Sequence, residues 1–257
     1  MTRAPPRAPR AEGRPLVLGH RGASADAPEN TLAAFRLALA QGADGVELDV
    51  WRCATGEIVV CHDEDARRVA GSALRVADAP LQALRALDVG AWRGERFRGE
   101  RLPLLDEALD ALPGAVVNVE MKSRGGDPRL AGALAALLER RGDGGRVVVS
   151  SFDWRLLRAF RRAAPGVAVG LLLERSTAWR LRLAVEIARL RPEAVHPHRR
   201  LVTGARARAW GRRGLAVNVW TVDAPEEAER LCALGAAGIV TNAPGRIREA
   251  VRRATGR

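Results

Sequence analysis

Two short apolar segments of this 257-residue chain carry carboxylates in alternation with aliphatic residues. In GVELDVW (45–51), strand geometry sends successive side chains to opposite faces. Glu47, Asp49 and Trp51 then share one face, and Val46, Leu48 and Val50 the other. In NVEMK (118–122) the same rule groups Asn118, Glu120 and Lys122. Carboxylates on neighbouring strands repel one another unless a cation lies among them. Glu47, Asp49 and Glu120, with no cysteine or paired histidine beside them, make a hard oxygen donor set. Such a set favours one divalent cation, Mg2+ or Ca2+, over zinc. The competing reading is a group of solvated or ion-paired acids.

His20 closes the run LVLGH and His62 closes EIVVCH. Histidine exchanges protons near neutrality, and two beside a divalent cation suit general acid–base catalysis of phosphoryl transfer. Arg21 and Lys122 add cations at the same end: a bidentate fork and a compact point charge for a phosphate. Of the 42 basic residues, Lys122 is the only lysine, and tyrosine is absent. A coding bias explains the many arginines and makes the lone lysine informative. His196 and His198, after a later strand, would also reach the mouth, where they could contact substrate; a turn or capping role accounts for them as well, and they stay outside the expected site.

The elements that must position these groups alternate along the chain. Strands are expected over 16–20, 45–51, 115–121, 146–150, 167–172, 194–196, 215–220 and 238–241. Helical spacing is expected over 31–41, 104–112, 129–141, 154–164, 178–190, 203–211, 225–234 and 247–253. Gly42, Gly142 and Gly235 supply stops. Eight βα units predict an α/β fold of the (β/α)8 TIM barrel type. The rival doubly wound sheet lacks its phosphate-binding turn, since Gly19-His20-Arg21-Gly22 is not G-x-G-x-x-G. A further β-like run at 57–62 and an irregular polar stretch imply a small insertion after strand 2, at about 63–103. Residues 1–14 read as a disordered basic arm, and 15–257 as one barrel domain.

Composition removes other classes. The chain has a net charge of +12 and 47% hydrophobic residues, ordinary for a packed globular protein. No run is apolar enough for a membrane span, and the N-terminus lacks the hydrophobic core of a signal peptide. Cys53, Cys61 and Cys232 are odd in number and scattered, which points to a reducing compartment and a cytoplasmic location. Residues 1–128 hold 17 basic and 19 acidic side chains, against 25 and 11 in residues 129–257. A solvated arginine surface accounts for the excess, with weak contact to an anionic membrane as the alternative. No nucleic-acid-binding motif is present.

The chemistry-bearing stretches also form an ordered series: GHRG, APENT, VELDV and CHDE, then VVNVEMK, SSFD, VNVWTVD and GIVTNAP. The series resembles the glycerophosphodiester phosphodiesterase family over nearly the whole chain after the arm. The resemblance implies a TIM barrel that hydrolyses glycerophosphodiesters. His20 and His62 match the family's acid/base pair, Glu47, Asp49 and Glu120 its metal ligands, and Arg21 and Lys122 its phosphate-binding cations. Trp220 matches a cleft-lining aromatic, and Glu29 and Asp63 match motif acids that orient their neighbours. The expected partner is a small-molecule phosphodiester. One departure is local: where many relatives carry a Leu-x-Arg-Thr-Thr-like run after the second histidine, this chain has Glu64-Asp65-Ala66-Arg67-Arg68-Val69-Ala70-Gly71, with charges and without the hydroxyls. That leaves open the alcohol half of the substrate, including lysophospholipid-type diesters. A non-catalytic barrel binding anionic ligands is the remaining alternative; its signature would be a broken residue set.

Overall fold

Aliphatic residues at every second position drive the architecture. In the computed structural model, which describes residues 6–174 and 179–256, the strands are β1 (Leu16–His20), β2 (Gly45–Arg52), β3 (Ile58–Val60), β4 (Val116–Met121), β5 (Val147–Ser151), β6 (Ala168–Leu173), β7 (Ala194–Pro197), β8 (Ala216–Val219) and β9 (Gly238–Thr241). All but β3 pair in parallel, and β1 closes the ring by pairing with both β2 and β9. Helices lie between the strands, so the expected TIM barrel is present. β3 folds back antiparallel on β2, as the extra β-like run implied.

The outward faces of the strands, including Val46, Leu48, Val50, Val117, Val119 and Met121, are buried against helical residues such as Phe35, Leu134 and Phe160. Each such side chain contributes about 1.5–3 kcal/mol by leaving water. Inside the ring, Leu16, Leu18 and Val240 form one apolar cluster, and Ala194 and Ala216, at the starts of their strands, form another. Polar residues occupy the strand ends. Register delivers the carboxylates to two successive inward levels: His20 lies opposite Glu47 and Glu47 opposite Asn118, and two residues further on Asp49 lies opposite Glu120.

Helix limits follow local chemistry. Thr31 Oγ1 accepts the Ala34 amide at 3.2 Å and starts the helix Leu32–Ala40. Gly142, at φ 71°, ends the helix Pro128–Arg141 in a left-handed conformation that would cost another residue type about 1 kcal/mol. Residues 1–5 of the expected arm, and Ala178 at the start of the expected 178–190 helix, lie outside the described residues. Further along the arm, Ala8 is buried against Ala194 and Ala216. Arg14 forms a bidentate pair with Asp44 at 2.8 and 2.7 Å.

The insertion differs from the irregular polar stretch that its sequence suggests. It holds short helices at Arg67–Ala70 and Leu81–Arg85 and two single-turn 3-10 segments. Val69, Val76, Leu84, Val89 and Leu102 bury themselves with Trp51, Cys53 and Cys61 in a second small core. These apolar residues are spaced without a helical or strand period, so no pattern announced them. Trp51, expected inward with Glu47 and Asp49, joins this second core and donates from Nε1 to His62 O at 3.2 Å. Arg93 donates to Ala25 O and Arg96 to Asp26 O, so the insertion is tied to the loop after β1.

Candidate active site

At the C-terminal ends of the strands lies a cleft lined by His20, Arg21, Glu47, His62, Asn118, Glu120, Lys122, Phe152, His196 and Trp220, among others. Glu47, Asp49 and Glu120 each bring an oxygen to within 4.8 Å of the others, and all three are buried. Two cations balance part of this charge. Lys122 Nζ lies 3.1 Å from Asp49 Oδ1 and 2.5 Å from Glu120 Oε1. Arg21 Nε lies 3.2 Å from Asp49 Oδ2.

The electrostatics show how the remainder is distributed. Burial penalises the Asp49 charge, but Lys122 and Arg21 hold its carboxyl below the usual range. Glu47 is pushed well above it, by burial and then by Asp49 and Glu120. Burial, and then Asp49, push Glu120 up to about 7. Lys122 is held firmly charged against its own burial by Asp49 and Glu120. Three carboxylates against two cations leave one negative charge that near neutrality calls for a proton or a further cation. Asn118 Oδ1, buried on the same inward face, accepts no hydrogen bond. The donor set is all oxygen, so it fits a hard divalent cation.

Arg21 sits in the left-handed region at φ 56°, as does Asn30. Such a conformation costs about 1–2 kcal/mol and persists where neighbours fix it. Here the Arg21 amide donates to Glu47 O at 2.8 Å, and the Asn30 amide to Arg21 O at 2.9 Å. Asn30 Nδ2 donates to Asp49 Oδ2 at 2.9 Å. Glu29 accepts from Arg21 Nη1 at 2.8 Å and from both terminal nitrogens of Arg68 at 2.5 and 2.8 Å. Burial works against the Glu29 charge, yet Arg68 and Arg21 hold its carboxyl below the usual range.

The two histidines differ in their anchors. His20 Nδ1 lies 2.7 Å from Asn242 Oδ1. Asn242 Nδ2 donates to Asp223 Oδ2 at 2.7 Å, which fixes the amide so that its oxygen faces His20. His20 therefore carries its proton on Nδ1 and leaves Nε2 bare, 3.9 Å from Glu47 Oε2. His62 Nδ1 instead donates to the Asp63 carboxylate at 2.7 Å. Burial, followed by Arg21, pushes His20 below its ordinary pKa, and burial does the same for His62.

Trp220 forms a wall of the cleft, edge-on to Phe152 at 5.7 Å and to His198 at 5.1 Å. Its Nε1 donates to His196 O at 2.7 Å. His196 lines the cleft floor, fully buried, over Gly170, where a Cβ would stand 2.3 Å from the ring Nε2. Burial pushes its pKa down to about 4. His198 accepts from the Arg200 amide at 3.3 Å and starts a 3-10 turn, so the capping role is realised there. Of the expected side chains, His20, Arg21, Glu47, His62, Glu120, Lys122 and Trp220 line the cleft, while Asp49, Glu29 and Asp63 lie behind it, paired with Arg21, Lys122 or His62. Asn30, Arg68, Asn242 and Asp223 were missed, although three of them stand inside the quoted motifs APENT, GIVTNAP and VNVWTVD.

The chain matches the model of the glycerophosphoryl diester phosphodiesterase family over residues 20–246. It is 36% identical over 245 residues to a glycerophosphodiester phosphodiesterase of Caldanaerobacter subterraneus, covering 93% of this chain and 98% of that one. Among solved structures it is similar to an Oleispira antarctica phosphodiesterase in complex with the product sn-glycerol-3-phosphate, with 27% identity, a TM-score of 0.84, and 93% and 97% of the two chains covered. A Thermotoga maritima glycerophosphodiester phosphodiesterase gives 28% identity, a TM-score of 0.76, and coverages of 93% and 99%.

Proposed function

This chain belongs to the glycerophosphoryl diester phosphodiesterase family and is an enzyme of that class, and from that premise we propose that it hydrolyses glycerophosphodiesters to an alcohol and glycerol 3-phosphate with His20 as general base and His62 as general acid. The observation that carries the assignment is the pair of anchors. An amide oxygen behind His20 holds Nδ1–H and presents a bare Nε2 to the cleft, suited to taking a proton from the nucleophile, either water directly or the substrate's own glycerol 2-hydroxyl, whose cyclic phosphodiester water then opens to glycerol 3-phosphate. A carboxylate behind His62 favours the imidazolium, suited to protonating the leaving alkoxide.

Arg21 and Lys122 stabilise charge on the phosphate oxygens. Trp220 supplies an apolar wall for the glycerol carbons. Glu47, Asp49 and Glu120 would hold one divalent cation, Mg2+ or Ca2+, which when bound supplies Lewis-acid polarisation of a phosphate oxygen. No helix of the described residues is long and apolar enough to cross a membrane. The three free cysteines fit a reducing, cytoplasmic setting. We read 15–257 as one barrel domain carrying the insertion. The filled residue set speaks against a purely binding barrel.

The test is release of glycerol 3-phosphate from a panel of glycerophosphodiesters and a lysophospholipid, with and without added metal. His20→Ala and His62→Ala should each lower turnover by at least about 100-fold with folding intact. Near-normal turnover in both would remove the assignment.

A further inference from the structure

One side chain from the insertion touches the partners of both an acid/base histidine and a phosphate-binding cation. Arg68 lies in the short helix Arg67–Ala70, seated by Val69 in the insertion's own core. Its Nη1 and Nη2 clasp Glu29 at 2.5 and 2.8 Å, and its Nε donates to Asp63 Oδ2 at 2.8 Å. The far oxygen of Asp63 accepts from His62 Nδ1 at 2.7 Å, and Glu29 Oε1 also accepts from Arg21 Nη1 at 2.8 Å. A single planar guanidinium thus uses all three of its nitrogens on two carboxylates, one behind His62 and one behind Arg21. Neither carboxylate reaches the reacting atoms itself.

We propose that Arg68 is a positioning residue for the reaction, a clamp from the insertion that holds Asp63 behind His62 and Glu29 behind Arg21. The proposal rests on His62 serving as the acid. A surface ion pair with the Arg68 side chain 45% exposed contributes little to stability on its own. Its geometry matters instead because the acid and the phosphate cation must both be aligned, and small misplacements of such groups cost up to about 100-fold in rate. Lysine cannot substitute: a point charge reaches one carboxylate but does not span two with a fixed fork.

The clamp also affects His62 chemically. Part of the Asp63 charge is shared with Arg68, which keeps His62 a stronger acid than an isolated Asp–His pair would be. The other charged groups acting on His62 are Asp49 on β2, Lys122 beyond β4 and Arg21 after β1; of these only Arg21 is held through Glu29, and because Arg21 lowers the His62 pKa, any drift of it away from the ring acts in the same direction. Losing the guanidinium therefore leaves Asp63 fully available to the imidazolium and raises the pKa of His62.

The experiment compares Arg68→Gln and Arg68→Lys with the wild-type enzyme on a glycerophosphodiester, reading kcat, KM and the pH dependence of kcat, alongside thermal melting. The expected result is a fall in kcat of about 10- to 100-fold in Arg68→Gln, a rise in KM, and an alkaline displacement of the basic limb by at least about 0.5 unit, with melting within about 2 °C of wild type. Arg68→Lys should recover less than about a tenth of the lost rate. Rates within twofold of wild type and a superimposable pH profile in both variants would overturn the proposal. So would a rate loss matched by an equal collapse of the melting temperature. His62→Ala separates the two levels. An active His62→Ala enzyme removes the underlying acid assignment. An inactive one, beside unaltered Arg68 variants, removes the clamp alone.

Discussion

Replacing His196 by glutamine should flatten the acid side of the protein's stability curve. The imidazole is fully buried, sits over Gly170, and receives Asn218 Nδ2 at 3.1 Å on its Nε2. No carboxylate offsets the burial, which alone takes its pKa from 6.5 to about 4. The native state therefore holds this ring neutral, while the unfolded chain protonates it as the pH falls below 6.5. Between those two values the unfolded state binds the extra proton, so stability is intact above pH 6.5 and declines as the pH drops toward 4. With 1.36 kcal/mol per pKa unit, the loss is about 2 kcal/mol at pH 5 and about 3 kcal/mol at pH 4. Other acids titrate in this range too, so the readout is a difference between proteins. Urea unfolding of wild type and His196→Gln at pH 7, 6, 5 and 4 should show the wild-type curve falling more steeply, by those amounts. For a chain of this size the pH 5 difference corresponds to about 4–8 °C in melting temperature. Curves that run parallel within about 0.5 kcal/mol would refute the reasoning, because they would mean that the ring finds water or a counter-charge in the native barrel.

Lys122→Arg should lower turnover by at least about tenfold with the fold retained, because a broader guanidinium cannot sit between Asp49 and Glu120 where the ammonium fits at 3.1 and 2.5 Å; steady-state kinetics beside a melting curve checks it. Chelation with EDTA should abolish activity, and added Mg2+ or Ca2+ should restore it; activity that survives exhaustive chelation would count against the carboxylate set as a cation site. The acid limb of kcat/KM should lie below pH 6.5, since a base whose pKa is lowered stays deprotonated to lower pH. Asn242→Ala should lower kcat while leaving the melting temperature within a few degrees, as read by paired kinetics and calorimetry, because it frees the His20 ring to rotate and to change tautomer.

Period-two alternation was enough to place Glu47, Asp49, Asn118, Glu120 and Lys122 on inward faces, since a strand buried on both sides leaves little choice of which face carries charge. It could not say that Asp49 would stand opposite Glu120, because register in a parallel sheet is set by the whole ring and not by either strand. The anchors of the histidines were out of reach for another reason. Asn242 and His20 are 222 positions apart and meet only because β9 pairs with β1. Arg68 stood in a run of charges with no period, next to Arg67, which pairs with Asp65 and not with the site. The insertion's core escaped notice because its apolar residues are contributed singly by turns. The arginine surplus is partly spent in ion pairs between elements: Arg141 reaches Asp106, Asp110 and Asp143.

The contact between His20 and Asn242 makes the site a seam. The proposed base stands on the first strand of the ring and its support on the segment after the last, with Asp223 behind. A polypeptide still being synthesised therefore has no oriented His20 until residue 242 has emerged and the ring has shut. With His20 as the base, diesterase activity is in this sense a receipt for a finished barrel, and fragments released early would be inert toward diesters. The same seam marks where the chain tolerates rearrangement least: a circular permutant opened between β9 and the last helix would keep every side chain yet free Asn242 at a loose end.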